Sequence, residues 1–391
     1  MNKGINERCE MTSKERIIAA FKREETDYVP CVPFVSPLTE VQRRGLPYTY
    51  PFGSSQSEAV AYMQENFHTD MIVQIHLDKQ LEESVSSKIW YEDGILHKSW
   101  DTPSGTIHSA IRYTEKWPYG YDIGLGHDFE AHNVEPWLKT SRDVECMKHL
   151  IQPVSKKEDL DAFRFKLMEC KNLADKYDLP IMTEVGGGIT KALQLFGPEV
   201  MCINAIEEPE MIEQFLEIEH EANMRKIELA AELGIDILRR NGFYESCDFL
   251  SPKMLEHFLK DNLISEARMA HEVSKVSVYT LNTGIMPMLD YIAELEFDSI
   301  INLDMVFNDM NLEMLRDRVC DKKSMLIGPS SPYHMCSENP EVVRDAVRKV
   351  FQVFGTKGLL LGSCASMQPY MPWENMLAMV DEWKKLRYGR K

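Results

Sequence analysis

Apolar positions recur every three to four residues from Ser13 to Phe21, and Thr12 and Glu15 have the spacing of a capping box at the start of that helix. DYVPCVPFVS (27–36) then reads as a short apolar strand punctuated by prolines. After the amphipathic stretch SEAVAYMQENF, TDMIVQIH (69–76) reads as a second buried strand ending at His76. Between residues 85 and 120 the period drops to two. Aromatic and β-branched residues alternate around Asp93-Gly94 and Pro103-Ser104-Gly105, which predicts an antiparallel β-meander inserted into the main domain. Helical spacing returns in SRDVECMKHL and DLDAFRFKLMECKNLADKY.

From there the chain repeats one unit, a continuous apolar strand followed by an amphipathic helix. The strands are LPIMTEVGGG, GIDILRRNG, KVSVYTLNTG, FDSIINLDM, SMLIGPSS and GLLLGSC. Strands apolar on both faces and separated by helices imply a parallel sheet. Six units and the two earlier strands make eight, so the expected fold is a single α/β domain over 1–391, a (β/α)8 TIM barrel with the meander as an insertion. A doubly wound open sheet is the structural rival.

Composition narrows the function. Asp and Glu number 62 against 44 Lys and Arg, a formal charge of −18, and no window is strongly basic. Nucleic acid and anionic membrane surfaces, which need clustered Lys and Arg, are not the expected partners. No apolar run is long enough to span a bilayer, and MNKGINERCEMTSKERIIAAF lacks the apolar core of a signal peptide. Nine cysteines fall at irregular spacing without CxxC pairs, as expected of reduced thiols, and a cytoplasmic location follows.

A barrel gathers its chemistry at the C-terminal strand ends. That rule nominates Ser36, His76, Glu184, Arg240 with Asn241, Asn282, Asp304, Ser330 and Cys364. Glu184, a carboxylate ending an apolar strand, is costly there unless paired or solvated in a cleft, which makes it the first candidate for acid–base work. Tyr244 and His76 stand behind it. Arg239 and Arg240 close one strand; one of them faces the mouth, and Arg240 is taken as the carboxylate or phosphate binder, with an ion pair to one of the acidic helices as the equal alternative. EVGGGIT resembles a phosphate loop, but no GxxxxGK follows. PYHMC (332–336) carries a His-x-Cys pair, His334 and Cys336, whose ring nitrogen and thiolate suit zinc. A surface loop is the simpler reading of that pair.

Several stretches resemble the uroporphyrinogen decarboxylase superfamily, which includes cobalamin-dependent methyltransferases acting on methylcobamide, coenzyme M or methoxylated substrates. They are TSKERIIAAFKREETDYVPCVPF, TPSGTIHSAIRYT, GIDILRRNGFYESCDFLSPKMLEHFL, NPEVVRDAVRKVFQVFGTKGLLLGSC and MPWENMLAMVDEW, in the family's order along nearly the whole chain. The resemblance implies a (β/α)8 barrel.

Two departures shape what it implies about activity. Where the decarboxylase has an arginine-rich loop for porphyrin carboxylates, this chain has VSPLTEVQRRGLPY, with Arg43 and Arg44 loosely in place. Uroporphyrinogen decarboxylation is therefore not expected. The thiol-methylating branch holds zinc with His-x-Cys at one strand end and a Cys at the last. Those positions fall here on Thr280, Asn282 and Cys364. A zinc ion would need His334, Cys336, His76 or an acidic residue to replace the missing ligands.

The function implied is a corrinoid-dependent methyltransferase component of the O-demethylase type. It would move a methyl group between a small methoxy or methylamine-type substrate and a corrinoid protein, because the chain itself has no D-x-H-x-x-G cobalamin motif. Glu184, Tyr244 or His76 would protonate the leaving heteroatom. Arg240, Asn241, Asn282, Asp304 and Cys364 would line the substrate site. The alternatives are a decarboxylase or lyase using Arg240 and Glu184 on a small carboxylic acid, and a non-catalytic binding homologue. Substrate identity, direction of transfer and assembly, a homodimer included, are left open by the residues.

Overall fold

A computed structural model describes residues 11–35, 51–52, 55–77, 84–127, 132–151, 157–273, 275–307, 310–368 and 370–389. Ser36, Arg43 and Arg44 lie outside the described residues. Helix α1 (Ser13–Phe21) opens on the expected capping box, with Thr12 and Glu15 each accepting the other's backbone N–H. α2 (Gln56–Phe67) leads into strand β1 (Val73–Ile75).

The predicted meander is present and stands as its own sheet. β2 (Ser86–Glu92), β3 (Ile95–Thr102) and β4 (Gly105–Arg112) pair antiparallel, and β5 (Asn133–Glu135) adds a fourth strand that the alternation did not reveal. α3 (Ser141–Leu150) and α4 (Lys157–Tyr177) carry the chain back to the parallel sheet.

The repeating units follow: β6 (Ile181–Gly186), α5 (Gly188–Phe196), α6 (Pro198–Glu207), α7 (Pro209–Glu232), β7 (Ile237–Asn241), α8 (Pro252–Glu272), β8 (Val276–Thr280), α9 (Leu289–Glu294), β9 (Ser299–Asp304), α10 (Leu312–Val319), β10 (Ser324–Gly328), α11 (Glu341–Phe354), β11 (Leu359–Leu361) and α12 (Trp373–Leu386). Strands β1 and β6 to β11 form one curled parallel sheet in sequence order. Side chains alternate between its two faces. Val32, Ile72, Met182, Ile237, Val278, Ile301, Leu326 and Leu360 form an inner cluster with Ile17 and Phe21 of α1, which plugs the N-terminal end. Ile181, Leu238, Ile300, Met325 and Leu359 pack outward against the helices. Burial on both faces is why these strands read as uninterrupted apolar runs.

The expectation of eight strands needs a correction. Seven named strands form the sheet, and the segment around Cys31 contributes a single bridge to Leu361 rather than a ladder. It still lies between the two edges: Val32 N–H donates to the Leu361 carbonyl at 2.7 Å, and Asp70 N–H donates to the Cys31 carbonyl at 2.8 Å. Pro30 and Pro33 lack the N–H donors that a full ladder would need.

Candidate active site

Strand alternation decides which side chains reach the barrel interior. Ile237 faces inward, so two residues on Arg239 does too, while Arg240 joins the outer face with Leu238. In β6 the register with β7 slips after Glu184, so Glu184 pairs with Arg239 while Gly186 pairs with Arg240. Glu184 therefore faces inward beside Arg239. The two form an ion pair through Oε2 and Nη2, with side chains 34% and 18% exposed. Val185 is the residue skipped, and a bulge beside a strand end re-aims its neighbours in this way.

Glu184 is ionised. Burial pushes its pKa up, but the charges of Arg239, Lys226 and His76 outweigh it and hold the carboxyl below the usual range. The proton-donor role expected of Glu184 is thus corrected to that of a carboxylate. Arg239 is left with an Nε–H that is shut off from solvent and has no hydrogen-bond partner among the described residues.

Two cavities meet this mouth. One of about 440 Å³ is lined by Glu184, Asn241, Thr190, Lys191, Glu219 and Lys226, with Leu77, Leu150 and Ile151 on its apolar side. The other, about 260 Å³, is mostly apolar: Val32, Phe34, Ile72 and Met71 line it with Gln74 and His76. His76 is exposed at the end of β1, where sequence put it, and acts electrostatically on Glu184. Gln56 and Gln74 fix this wall by a reciprocal pair of bonds, side-chain amide to backbone carbonyl at 2.9 Å and backbone N–H to side-chain oxygen at 2.6 Å.

Tyr244 follows β7 on the loop to α8. Its backbone N–H donates to Thr190 Oγ1 at 2.9 Å, and its ring packs edge-on against Phe243 and Phe249. Thr190 lines the larger cavity, so this bond ties the Tyr244 loop to the cavity wall. Asn241, half-buried, lines the same cavity.

On the neighbouring strands two more buried polar atoms lack partners among the described residues, Thr280 Oγ1 on β8 and Asn302 Oδ1 on β9. Asn302 is the residue skipped where the β9–β10 register slips, and its φ is 69°, a left-handed conformation that Asn tolerates better than most side chains.

Four expected site residues serve other purposes. Arg240 is 2% exposed and lies outside the barrel: Nη2 pairs with Glu245 at 3.0 Å and Nε with Glu266 at 2.9 Å. Asn282 donates its side-chain N–H to the Asn302 carbonyl at 2.9 Å and accepts Asp304 N–H at its own carbonyl at 3.0 Å, which joins β8 to β9 beyond their ladder. Asp304 is buried, and its carboxylate accepts from Val306 N–H, Phe307 N–H, Ser330 Oγ–H and Cys364 Sγ–H. Cys364 also accepts Ser331 N–H at 3.1 Å. Burial, reinforced by Asp304, pushes its thiol up to about 12, so the sulfur is held as a thiol that donates to Asp304.

The residues do not fit a zinc ion. Thr280 and Asn282 occupy two of the implied ligand positions, and Cys364 is a thiol bonded to Asp304. His334 Nδ1 accepts Ser330 N–H at 2.9 Å inside a π-helical turn (Ser331–Met335), and burial holds its pKa down. Burial raises Cys336 likewise. Among the described residues no three His, Cys, Asp or Glu side chains are placed to share a metal.

The glycine loop of EVGGGIT is an anion site filled from within. Glu219 on α7 accepts N–H from Gly187 at 3.0 Å and from Gly188, and Glu245 accepts Ile189 N–H at 3.0 Å. Two carboxylates thus occupy the start of α5, where a phosphate would bind. Sequence singled out the glycines; nothing in it pointed to carboxylates 31 and 56 residues away. Lys226 was equally invisible, being one more cation on an amphipathic helix.

Comparison with known proteins agrees with this architecture. Residues 119–386 match the family model described as uroporphyrinogen decarboxylase (URO-D). The match begins after the three-stranded part of the meander. A methyltransferase from Methanosarcina mazei is similar over 96% of this chain and 99% of its own, with a TM-score of 0.58 and 18% identity. A B12-independent methionine synthase from Shewanella sp. W3-18-1 covers 91% and 96%, at 12% identity; its TM-score of 0.47 carries no argument. No curated protein is significantly similar. Among the described residues no helix is long and apolar enough to cross a membrane.

Proposed function

The chain belongs to the uroporphyrinogen decarboxylase family, and from that premise we propose that it is a methyltransferase that transfers a methyl group between a small methylated substrate and a corrinoid carried by a partner protein. The observation that carries this reading is the end-to-end likeness to the Methanosarcina methyltransferase, joined to a mouth lined by polar groups. Burial of Arg240 leaves Arg239, paired with Glu184, as the arginine at the mouth.

In this reading the corrinoid supplies the cobalt nucleophile or methyl donor, and this chain binds and activates the small substrate. A methoxy oxygen leaves poorly as alkoxide and needs a proton as its bond to methyl breaks. With Glu184 ionised, Tyr244 and His76 are the donors for that step. Glu184 fixes Arg239 from one side, Asn241 orients the substrate by hydrogen bonding, and the apolar chamber beside His76 takes the carbon skeleton. Holding the reacting carbon in line with an incoming corrinoid is the chief contribution such a site makes.

The test is direct. The purified protein is mixed with a corrinoid protein held in the cobalt(I) state and a panel of methoxylated and methylamine compounds. Methyl transfer appears as the absorbance of the methylated corrinoid, and its absence across the whole panel would overturn the reading.

A further inference from the structure

The four-stranded sheet runs β2-β3-β4-β5, so β2 is an edge, and no strand among the described residues pairs with its outer side. The hairpin fixes which groups that side presents. Asp93 and Gly94, with φ of 46° and 86°, form a two-residue turn closed by the pair Glu92–Ile95. Such a closing pair is hydrogen-bonded, so Glu92, Trp90 and Lys88 bond to β3, while Tyr91, Ile89 and Ser87 turn their N–H and C=O groups outward. The register from Ser86–Asp101 to Glu92–Ile95 has no bulge, and the strand contains no proline. Its burial pattern leaves most of it open to solvent, and an edge of this kind is a template for another strand.

Side chains divide by face. Tyr91 is aligned with Leu96 and Ile111, which pack into the core, so Lys88, Trp90 and Glu92 share the opposite, open face. There Trp90 lies flat on His97 at 5.1 Å, and His97 on His108 at 5.3 Å, which fixes the indole. Lys88 and Glu92 flank it, Lys88 Nζ lying 5.4 Å from the ring, and neither forms an ion pair among the described residues.

We propose that the edge is occupied by a second copy of this chain, with β2 paired antiparallel to the partner's β2 about a two-fold axis at Trp90. Antiparallel self-pairing has to join outward-pointing residues to outward-pointing residues. An axis at Lys88 would set like charges face to face. With the axis at Trp90, Lys88 lies directly opposite the partner's Glu92, and by symmetry the ion pair forms twice. Ile89 and Tyr91 then exchange main-chain bonds with the partner's Tyr91 and the partner's Ile89. Lys88, Trp90 and Glu92 fall at the non-hydrogen-bonded positions, where facing side chains approach most closely. Two copies of a chain of charge −18 repel one another, so contact is easiest where local charge is balanced. Ser86–Glu92, with one lysine and one glutamate, is such a place, and the strand carries its own complement.

Analytical ultracentrifugation of the full chain tests this. A reversible dimer is expected, with a dissociation constant on the order of 10 μM, because one strand pair is smaller than a standard interface. Lys88→Glu and Glu92→Lys should each weaken it about tenfold or more, since each turns two attractive pairs into repulsive ones. The two substitutions together should restore the dimer to within about threefold. Hydrogen exchange supplies the second readout: the Ile89 and Tyr91 amides should gain protection as protein concentration rises, and lose it in Lys88→Glu. A monomer at about 100 μM would overturn the proposal and leave the edge to a different partner. A dimer indifferent to both charge reversals, or one in which the Ile89 and Tyr91 amides stay unprotected, would overturn it by placing the interface elsewhere.

Discussion

Arg239 and Arg240 are neighbours on one strand, yet their surroundings follow opposite rules. Around Arg240, on the helix side, Glu245 and Glu266 flank the guanidinium. Tyr279 O–H donates to Glu245, and His220 and Asn223 reach the far oxygen of Glu266 at 3.1 and 3.0 Å. Around Arg239, on the barrel side, a single carboxylate is shared with Lys226. A network in which each charge has several partners is a structural device, because removing any member strands the others in a medium of low dielectric. The lesson is that burial and charge alone do not distinguish a site from a scaffold; the number of opposite charges around each guanidinium does, two carboxylates at Arg240 against one at Arg239.

The sharpest way to break the comparison is to delete Arg240. Arg240→Met leaves Glu245, Glu266 and Glu219 facing one another, and it should cost about 3–5 kcal/mol of stability in urea or guanidinium unfolding. A loss below about 1 kcal/mol would mean that the outer network is not structural. Arg239→Met should do the reverse. Its ion pair is partly exposed, so stability should move by no more than about 1 kcal/mol, while kcat/KM for methyl transfer falls about 100-fold, equal to about 2.7 kcal/mol of transition-state stabilisation.

Glu245 tests the outer network by pH. Burial, only partly offset by Arg240 and Tyr279, raises its pKa from 4.5 to about 7. The folded protein therefore holds a proton that the unfolded chain releases. Its contribution to stability is complete below pH 4.5 and is lost as pH rises through about 7. Denaturant midpoints across that window should decline in the natural protein and flatten in Glu245→Gln, which keeps the shape without the titration. An equally steep decline in the variant would assign the effect to another group.

The smallest effect is expected at Cys364. Cys364→Ser replaces one donor to Asp304 with another, so stability should change by less than about 1 kcal/mol. Methyl transfer should stay within about twofold, and prior treatment with a chelator should leave it unchanged. Loss of activity on chelation would restore a metal to this barrel.

Local pattern made much of this legible. The parallel strands were visible because burial on both faces leaves an unbroken apolar run, and the meander because burial on one face leaves a period of two. Thr12 with Glu15 and Ser251 before Pro252 marked helix starts that hold, since capping depends on residues only a few positions apart. The same pattern located the mouth, at His76, Glu184, Asn241 and Tyr244.

Strand facing and partnership were beyond it. Reading Arg240 instead of Arg239 as the mouth arginine is a displacement of one residue, and in a strand one residue reverses the face. The bulges at Val185 and Asn302, which set that facing near the strand ends, leave no mark in composition. Glu184 looked like an acid because its strand is apolar; the cations that ionise it arrive from β7, α7 and β1. Sequence by itself thus determined the elements, their order and the strand ends at which the cavities lie, all consequences of hydrophobic periodicity and short-range capping. Tertiary structure alone decided which charges meet, because an ion pair between residues 55 positions apart and a carboxylate on a distant glycine loop depend on distances that only the folded chain sets.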